Sequence, residues 1–296
     1  EARFSQVSIG NWLNAPITIS GRGKGRPVAV SIAGGTLDLR AASFGGGGGE
    51  TGPMSLRLDR LQITEGIALR DFRGDFSGLG GFSGAFSGNV NGGPEIRGTV
   101  VPQNGRSAVR LQSADAGGVV GAAGFVKNGV GGALDLTMLP VGAAGTFDGV
   151  LSVRDLRVRD APSIAALLDA ISVVGLLRQL DGEGLAFDEV DAKFRLTPTQ
   201  VIVTEASAVG PGLGISLDGI YTLASKQVDF QGVVSPFYLL NGIGSFLTRK
   251  GEGLIGFNFN LAGNAANPDV SVNPLSALTP GMFREIFRRP VPEVTQ

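Results

Sequence analysis

Three groups of residues in this sequence have types and spacings that could do chemistry. Gly251, Gly253 and Gly256 spell GxGxxG, the form of a loop that cradles a dinucleotide pyrophosphate. Asp181, Glu183, Asp188, Glu189 and Asp191 crowd carboxylates into one short stretch, where they could act as an acid–base pair or as calcium ligands. The glycines from Gly45 to Gly49 could form a phosphate loop. Two absences narrow the choice. The chain has no His and no Cys, which removes the commonest general base, thiolate metal sites and every Ser-His or Cys-His nucleophile pair.

Each group has a plainer reading. A dinucleotide loop must close a strand and open a helix, whose N-terminus receives the pyrophosphate. Here the glycines open a stretch in which Phe257, Phe259 and Leu261 alternate with Asn258 and Asn260, so they read as a turn into a strand. The acidic cluster lacks the regular spacing of a calcium loop, and Asp191 falls on the polar side of an alternating run, so it reads as a solvated face. Gly45 to Gly49 lead to no GKS or GKT and read as a flexible loop. The expectation is a chain with no metal and no cofactor that is not an enzyme. A carboxylate enzyme acting on glycans is the catalytic alternative.

The elements around these groups carry more information. Val190, Ala192, Phe194 and Leu196 alternate with charged residues, Ile215, Leu217 and Tyr221 flank Ser216 and Asp218, Val228 and Phe230 flank Asp229, and Ile255, Phe257, Phe259 and Leu261 alternate with small or polar residues. Leu56 and Leu58, and Leu134, Leu136 and Met138, do the same. Each run is a strand with one apolar face. No helical pattern of comparable length alternates with them, so a doubly wound parallel sheet is excluded. Turns are expected at Gly21-Arg-Gly-Lys-Gly, Asn91-Gly-Gly, Asn128-Gly and Gly210-Pro-Gly. The 48 glycines, far above the usual ~7%, fit many short strands separated by such turns. Phe76, Phe82 and Phe86 mark a weak repeat of Phe-Ser-Gly.

Two segments break the pattern. Ile164, Leu167, Leu168, Ile171 and Val174 fall at helical spacing and predict one largely buried helix over 163–180, capped by Asp160 or Ala161 and ended by Gly182. A short C-terminal helix is expected from Thr279 to Arg289, stopped by Pro290, with Met282, Phe283, Ile286 and Phe287 beside Arg284, Arg288 and Arg289. Between them, residues 230–248 carry no charged residue and include Phe237, Tyr238, Leu239 and Leu240, followed by Arg249 and Lys250. Apolar clusters beside cations suit either packing over a sheet end or contact with a membrane surface or a partner.

The net charge of −1, with both signs mixed along the chain, gives no footprint for nucleic acid. No run of ~18 apolar residues offers a membrane span, and no signal peptide opens the sequence. The sequence reads as part of a longer chain.

Taken together, Asp160-Ala-Pro-Ser-Ile-Ala-Ala-Leu-Leu, Gly175-Leu-Leu, Gly182-Glu-Gly-Leu-Ala-Phe-Asp, Gly251-Glu-Gly-Leu-Ile-Gly and Asn267-Pro-Asp-Val-Ser-Val-Asn-Pro-Leu-Ser-Ala-Leu-Thr-Pro-Gly resemble the C-terminal region of the AsmA-like proteins of the YhdP type. Residues 1–159 are similar only in style. The resemblance implies a periplasmic part of a longer, inner-membrane-anchored chain, architecturally similar to bridge-like lipid-transfer proteins and associated with moving phospholipid toward the outer membrane.

The expected fold is mainly β: a long antiparallel sheet curled into an open apolar groove over 1–275, with one buried helix, then a C-terminal helix and tail over 276–296. The expected function is phospholipid or acyl-lipid binding and transfer in the periplasm. Val190, Phe194, Leu196, Ile215, Leu217, Tyr221, Val228, Phe230, Ile255, Phe257, Phe259 and Leu261 would line the groove, and Leu167, Leu168 and Ile171 would narrow it. Phe237, Tyr238, Leu239, Leu240, Phe283, Phe287, Arg284, Arg288 and Arg289 would meet a membrane or a partner such as another envelope protein. The alternative is a non-catalytic scaffold or assembly factor of the cell envelope, its apolar face wholly self-packed.

Overall fold

In a computed structural model of the chain, the structure describes residues 1–40, 52–78, 81–124, 128–159, 161–236, 250–252, 255–278 and 288–293. The fold is mainly β, with eighteen strands and three short α-helices among the described residues. Contacts divide the chain into two compact units, Glu1–Phe125 and Val126–Gln296, where the sequence reading drew one groove domain over 1–275. Each unit has its own run of strands, and strand periodicity alone does not reveal where one run of contacts ends.

The first unit contains β1 (Ala2–Ile9), β2 (Leu13–Ser20), β3 (Ala29–Ala33), β4 (Thr36–Asp38), β5 (Met54–Gln62), β6 (Ala68–Ser77), β7 (Ser83–Val90), β8 (Glu95–Gln103), β9 (Arg106–Ser113) and the helix α1 (Ala116–Ala122). β5 to β9 form an antiparallel meander. The purely antiparallel expectation fails at β3 and β4, which pair antiparallel with β2 but parallel with β5. Parallel pairing needs a long connection, and in the sequence fifteen residues separate Asp38 from Met54. Gly34 and Gly35, at φ 104° and 82°, bend one strand into these two halves. A Cβ on Gly35 would collide with the Asn14 carbonyl, so only glycine lets β2 approach so closely. The unforeseen α1 is capped by the Asp115 carboxylate, which accepts from the Gly118 N–H at 3.0 Å.

The second unit contains β10 (Asn128–Val130), β11 (Ala133–Pro140), β12 (Phe147–Arg159), α2 (Pro162–Ala170), α3 (Val174–Asp181), β13 (Leu185–Leu196), β14 (Gln200–Val209), β15 (Leu213–Thr222), β16 (Gln227–Pro236), β17 (Phe257–Asn264) and β18 (Asp269–Asn273), closed by a 3-10 turn over Pro274–Leu278. From β11 to β18 each strand pairs antiparallel with the next. Asn128-Gly129, expected as a turn, lies in β10, which pairs with β12. The turn falls instead at Gly131 and Gly132, both at positive φ.

The single helix expected over 163–180 is two helices. Pro162 opens α2 at its first position, and Ala161 precedes it with no side-chain cap. The chain then breaks at Ser172, which takes the left-handed φ of 59°, before α3 begins. The β-branched Ile171, Val173 and Val174 around Ser172 weaken helix propagation there. Leu167, Leu168, Leu176 and Leu180 are buried on the two pieces. Ile171, at the break, is half-buried.

This helix pair shows that the sheet of the second unit is curled. α2 and α3 pack together, α3 lies against β12 and β13, and α2 lies against β18. In a flat sheet β13 and β18 would be five strand spacings apart, roughly 24 Å at about 4.8 Å each. Contacts of one short helix pair with strands so far apart in the ladder fit a sheet whose intervening strands bend round.

Candidate functional site

Antiparallel register carries one side-chain face from strand to strand, because directly opposed residues point the same way. In the second unit Val190 is opposite Ala208, Ala208 opposite Ile215, Ile215 opposite Val234 and Val234 opposite Phe257. A second row joins Ala206, Leu217, Gly232, Phe259 and Val272. A third joins Phe194, Val203, Gly219, Phe230 and Leu261, and a fourth Leu196, Val201, Tyr221 and Val228. Eleven of the twelve residues expected to line the groove therefore share one face. The exception is Ile255, which precedes β17 and is 53% exposed. Its alternation with Phe257 continues the strand pattern by sequence, but β17 begins only at Phe257.

Sequence reasoning missed part of this face. Val201 and Val203 of β14 belong to it, as do Leu151 and Val153 of β12 and Val270 and Val272 of β18. In β14 the signal was hidden because Ile202, on the opposite face, makes the run continuously apolar, and the register shifts between Val203 and Ala206.

Glycines shape the floor of the face. Phe194 stands opposite Gly149, Phe230 opposite Gly219 and Phe259 opposite Gly232, and a Cβ on each glycine would run into the ring. The first unit repeats the device: Phe86 stands opposite both Gly74 and Gly98, and a Cβ on Gly98 would strike its ring. Phe76, from the sequence repeat, stacks on Phe82 with ring centroids 5.1 Å apart. Many glycines thus sit within strands, where the absence of a side chain gives an aromatic ring room on a crowded face.

Cover is uneven along the face of the second unit. Towards the helices, Val153, Leu213, Ile215 and Val234 are buried. Towards the other end, Phe147, Phe194, Leu196, Val203, Leu217, Tyr221, Phe230 and Leu261 are only half-buried, with Val228 buried among them.

The opposite face of β15 and β16 is polar and also buried. Arg288 donates to Asp218 at 2.7 Å and to Glu252 at 2.6 Å, and all three side chains are at most 4% exposed. Ser216 donates to Glu252, and Gln231 donates to Asp218 while bonding the backbone of Arg289 in both directions. These contacts strap residues 288 and 289 across the outside of the sheet. The expectation that Arg288 meets a membrane is corrected here: its charge is consumed inside the protein. Arg289 is half-exposed and pairs with Asp229 at 2.7 Å. That hydrogen bond holds the Asp229 carboxyl below its ordinary value, against the opposing effect of burial.

Lys250, expected beside an apolar lip, is likewise engaged, with Glu189 at 2.6 Å and Asp191 at 2.5 Å. Burial alone would raise the Asp191 carboxyl, but hydrogen bonds from Lys250 and Ser152 outweigh it and hold the group low. Two members of the acidic cluster are thus ion-paired partners. Phe237, Tyr238, Leu239, Leu240, Arg249, Phe283, Arg284 and Phe287 lie outside the described residues, and the expected C-terminal helix with them.

Among the described residues no group of three or more acidic side chains could hold a metal ion, and no helix is long and apolar enough to cross a membrane. The glycines of GxGxxG do not open a helix: Gly256 immediately precedes β17, and Gly251, at φ 86°, packs so closely on the Ile215 carbonyl that a Cβ would collide. In comparisons with family models, curated proteins and solved structures, nothing matches this chain.

Proposed function

We propose that the chain is a non-catalytic lipid-binding and lipid-transfer module that shields the acyl chains of phospholipid on the concave apolar face of its curled sheet. The observation that carries this reading is the uneven cover of that face, closed by α2 and α3 at one end and half-buried over several strands at the other. A face meant only for self-packing gains most when it is covered throughout. Holding an acyl chain against it removes roughly 0.8 kcal/mol of exposure per methylene, so a long chain gains on the order of 10 kcal/mol before its ordering is counted. Side chains that present only carbon and hydrogen are sufficient for this, and no reacting group is required. The resemblance to AsmA-like envelope proteins supports the same reading and adds a periplasmic setting, in which lipid passes between two membranes.

The test is titration of a fluorescent phospholipid into the purified protein. Phe230 and Leu261 are opposed across β16 and β17 in the half-buried region. Changing both to Glu should weaken binding at least tenfold, whereas Ser271→Glu, on the other face of β18, should leave it unchanged. Equal binding by the wild type and the double variant would overturn the proposal.

A further inference from the structure

The polar face of the first unit carries an arrangement that the lipid reading leaves unused. Arg57 stands directly opposite Arg73 across β5 and β6, and Arg60 directly opposite Arg70. Like charges in directly opposed positions destabilise a strand pair. The row continues from Arg73 through Ser87 to Arg97 on β8, and Arg110 on β9 enters from the neighbouring row through Thr99. An open cavity of about 450 Å³ lies over these rows, lined by Arg57, Arg73, Arg97 and Arg110 and by a single carboxylate, Asp75.

Asp75 accepts from Arg57 at 3.0 Å, and Arg97 pairs with Glu95 at 3.2 Å. Arg73 is exposed and has no acidic partner among the described residues. Arg57 and Arg97 each share their charge with a carboxylate and Arg110 has an interaction of its own, so the positive charge the cavity keeps is centred on Arg73. Ser87 and Thr99 add hydroxyl donors between the arginines.

We propose that this cavity binds a phosphate group carrying two negative charges. A phosphate offers several oxygens to the planar forks of neighbouring arginines, and one dianion placed between Arg57 and Arg73 turns their mutual repulsion into shared attraction. The cavity is larger than a phosphate alone, so the group belongs to a larger molecule, either a soluble phosphate compound or the headgroup of a phospholipid. The site is on the sheet face opposite the aromatic floor of its own unit and is independent of the proposed acyl-chain site.

The test uses the whole chain with pyrophosphate as the probe, at constant ionic strength so that screening does not vary. Pyrophosphate should raise the melting temperature of the wild type and give a measurable binding isotherm. Arg73→Ser should bind at least tenfold more weakly, yet melt no lower than the wild type without ligand, because the substitution removes a like-charge pair. Sedimentation with vesicles of phosphatidic acid in phosphatidylcholine forms the second arm. Capture that pyrophosphate competes away, and that Arg73→Ser loses, assigns the site to a lipid headgroup. Pyrophosphate binding without vesicle capture assigns it to a soluble compound. The Phe230→Glu, Leu261→Glu variant should keep pyrophosphate binding, which separates this site from the acyl-chain face. No response to either probe, or equal binding by Arg73→Ser, overturns the proposal.

Discussion

The two ends of the apolar face in the second unit are built from the same kinds of side chain and held in the same register, yet they differ in cover. Leu213 at the helix end is 1% exposed, while Leu261 towards the far end is half-buried. The difference comes from α2 and α3, which sit between β13 and β18 and occupy only part of the curl. Strand patterning therefore sets which way a residue points, and the placement of one small helix pair sets whether that direction is core or lining. If the comparison is right, equal substitutions at the two ends should act on different properties.

The largest effect is expected from Leu168→Asp. Leu168 is completely buried on α2, so a carboxylate there would be cut off from water. The loss should exceed ~4 kcal/mol, enough to abolish the cooperative thermal transition. An unchanged melting temperature would show that the helix pair does not close that end.

Arg288→Ala comes next. It leaves Asp218 and Glu252 buried without this cation and should cost about 3 kcal/mol in a denaturant titration. Because Arg288 is turned inward, binding of the folded variant to anionic vesicles should match the wild type. Lost vesicle binding without lost stability would restore the membrane role that the sequence suggested.

The pair Leu213→Ala and Leu261→Ala sharpens the comparison most finely. The first should cost about 2 to 3 kcal/mol through a cavity, the second less than about 1 kcal/mol, with the larger effect on lipid binding coming from the second. Equal losses of stability would mean that both ends are core.

Much of this fold was legible in the sequence for a simple reason. A two-residue period survives any curvature of the sheet, so Phe194, Leu217, Tyr221, Phe230 and Phe259 announce a shared face wherever the strands lie. Contacts between distant segments leave no such trace. The bond from Arg288 to Asp218 joins the C-terminal strap to the middle of a strand, and by sequence Arg288 reads only as one of several cations beside aromatic residues. The glycines were legible in number but not in purpose: Gly149, Gly219 and Gly232 are strand residues opposite phenylalanines, and nothing local distinguishes them from turn glycines. The break at Ser172 was invisible because the leucine spacing on either side still fits one helix.

The most direct test of the central claim is mass spectrometry of lipid extracted from the chain after gentle purification, compared with the Phe230→Glu, Leu261→Glu variant prepared alongside. The account predicts phospholipid in stoichiometric amount on the wild type and a loss of at least tenfold on the variant. A wild-type protein that carries no lipid and takes none up from vesicles would contradict it, and would leave the half-buried apolar face to a protein partner.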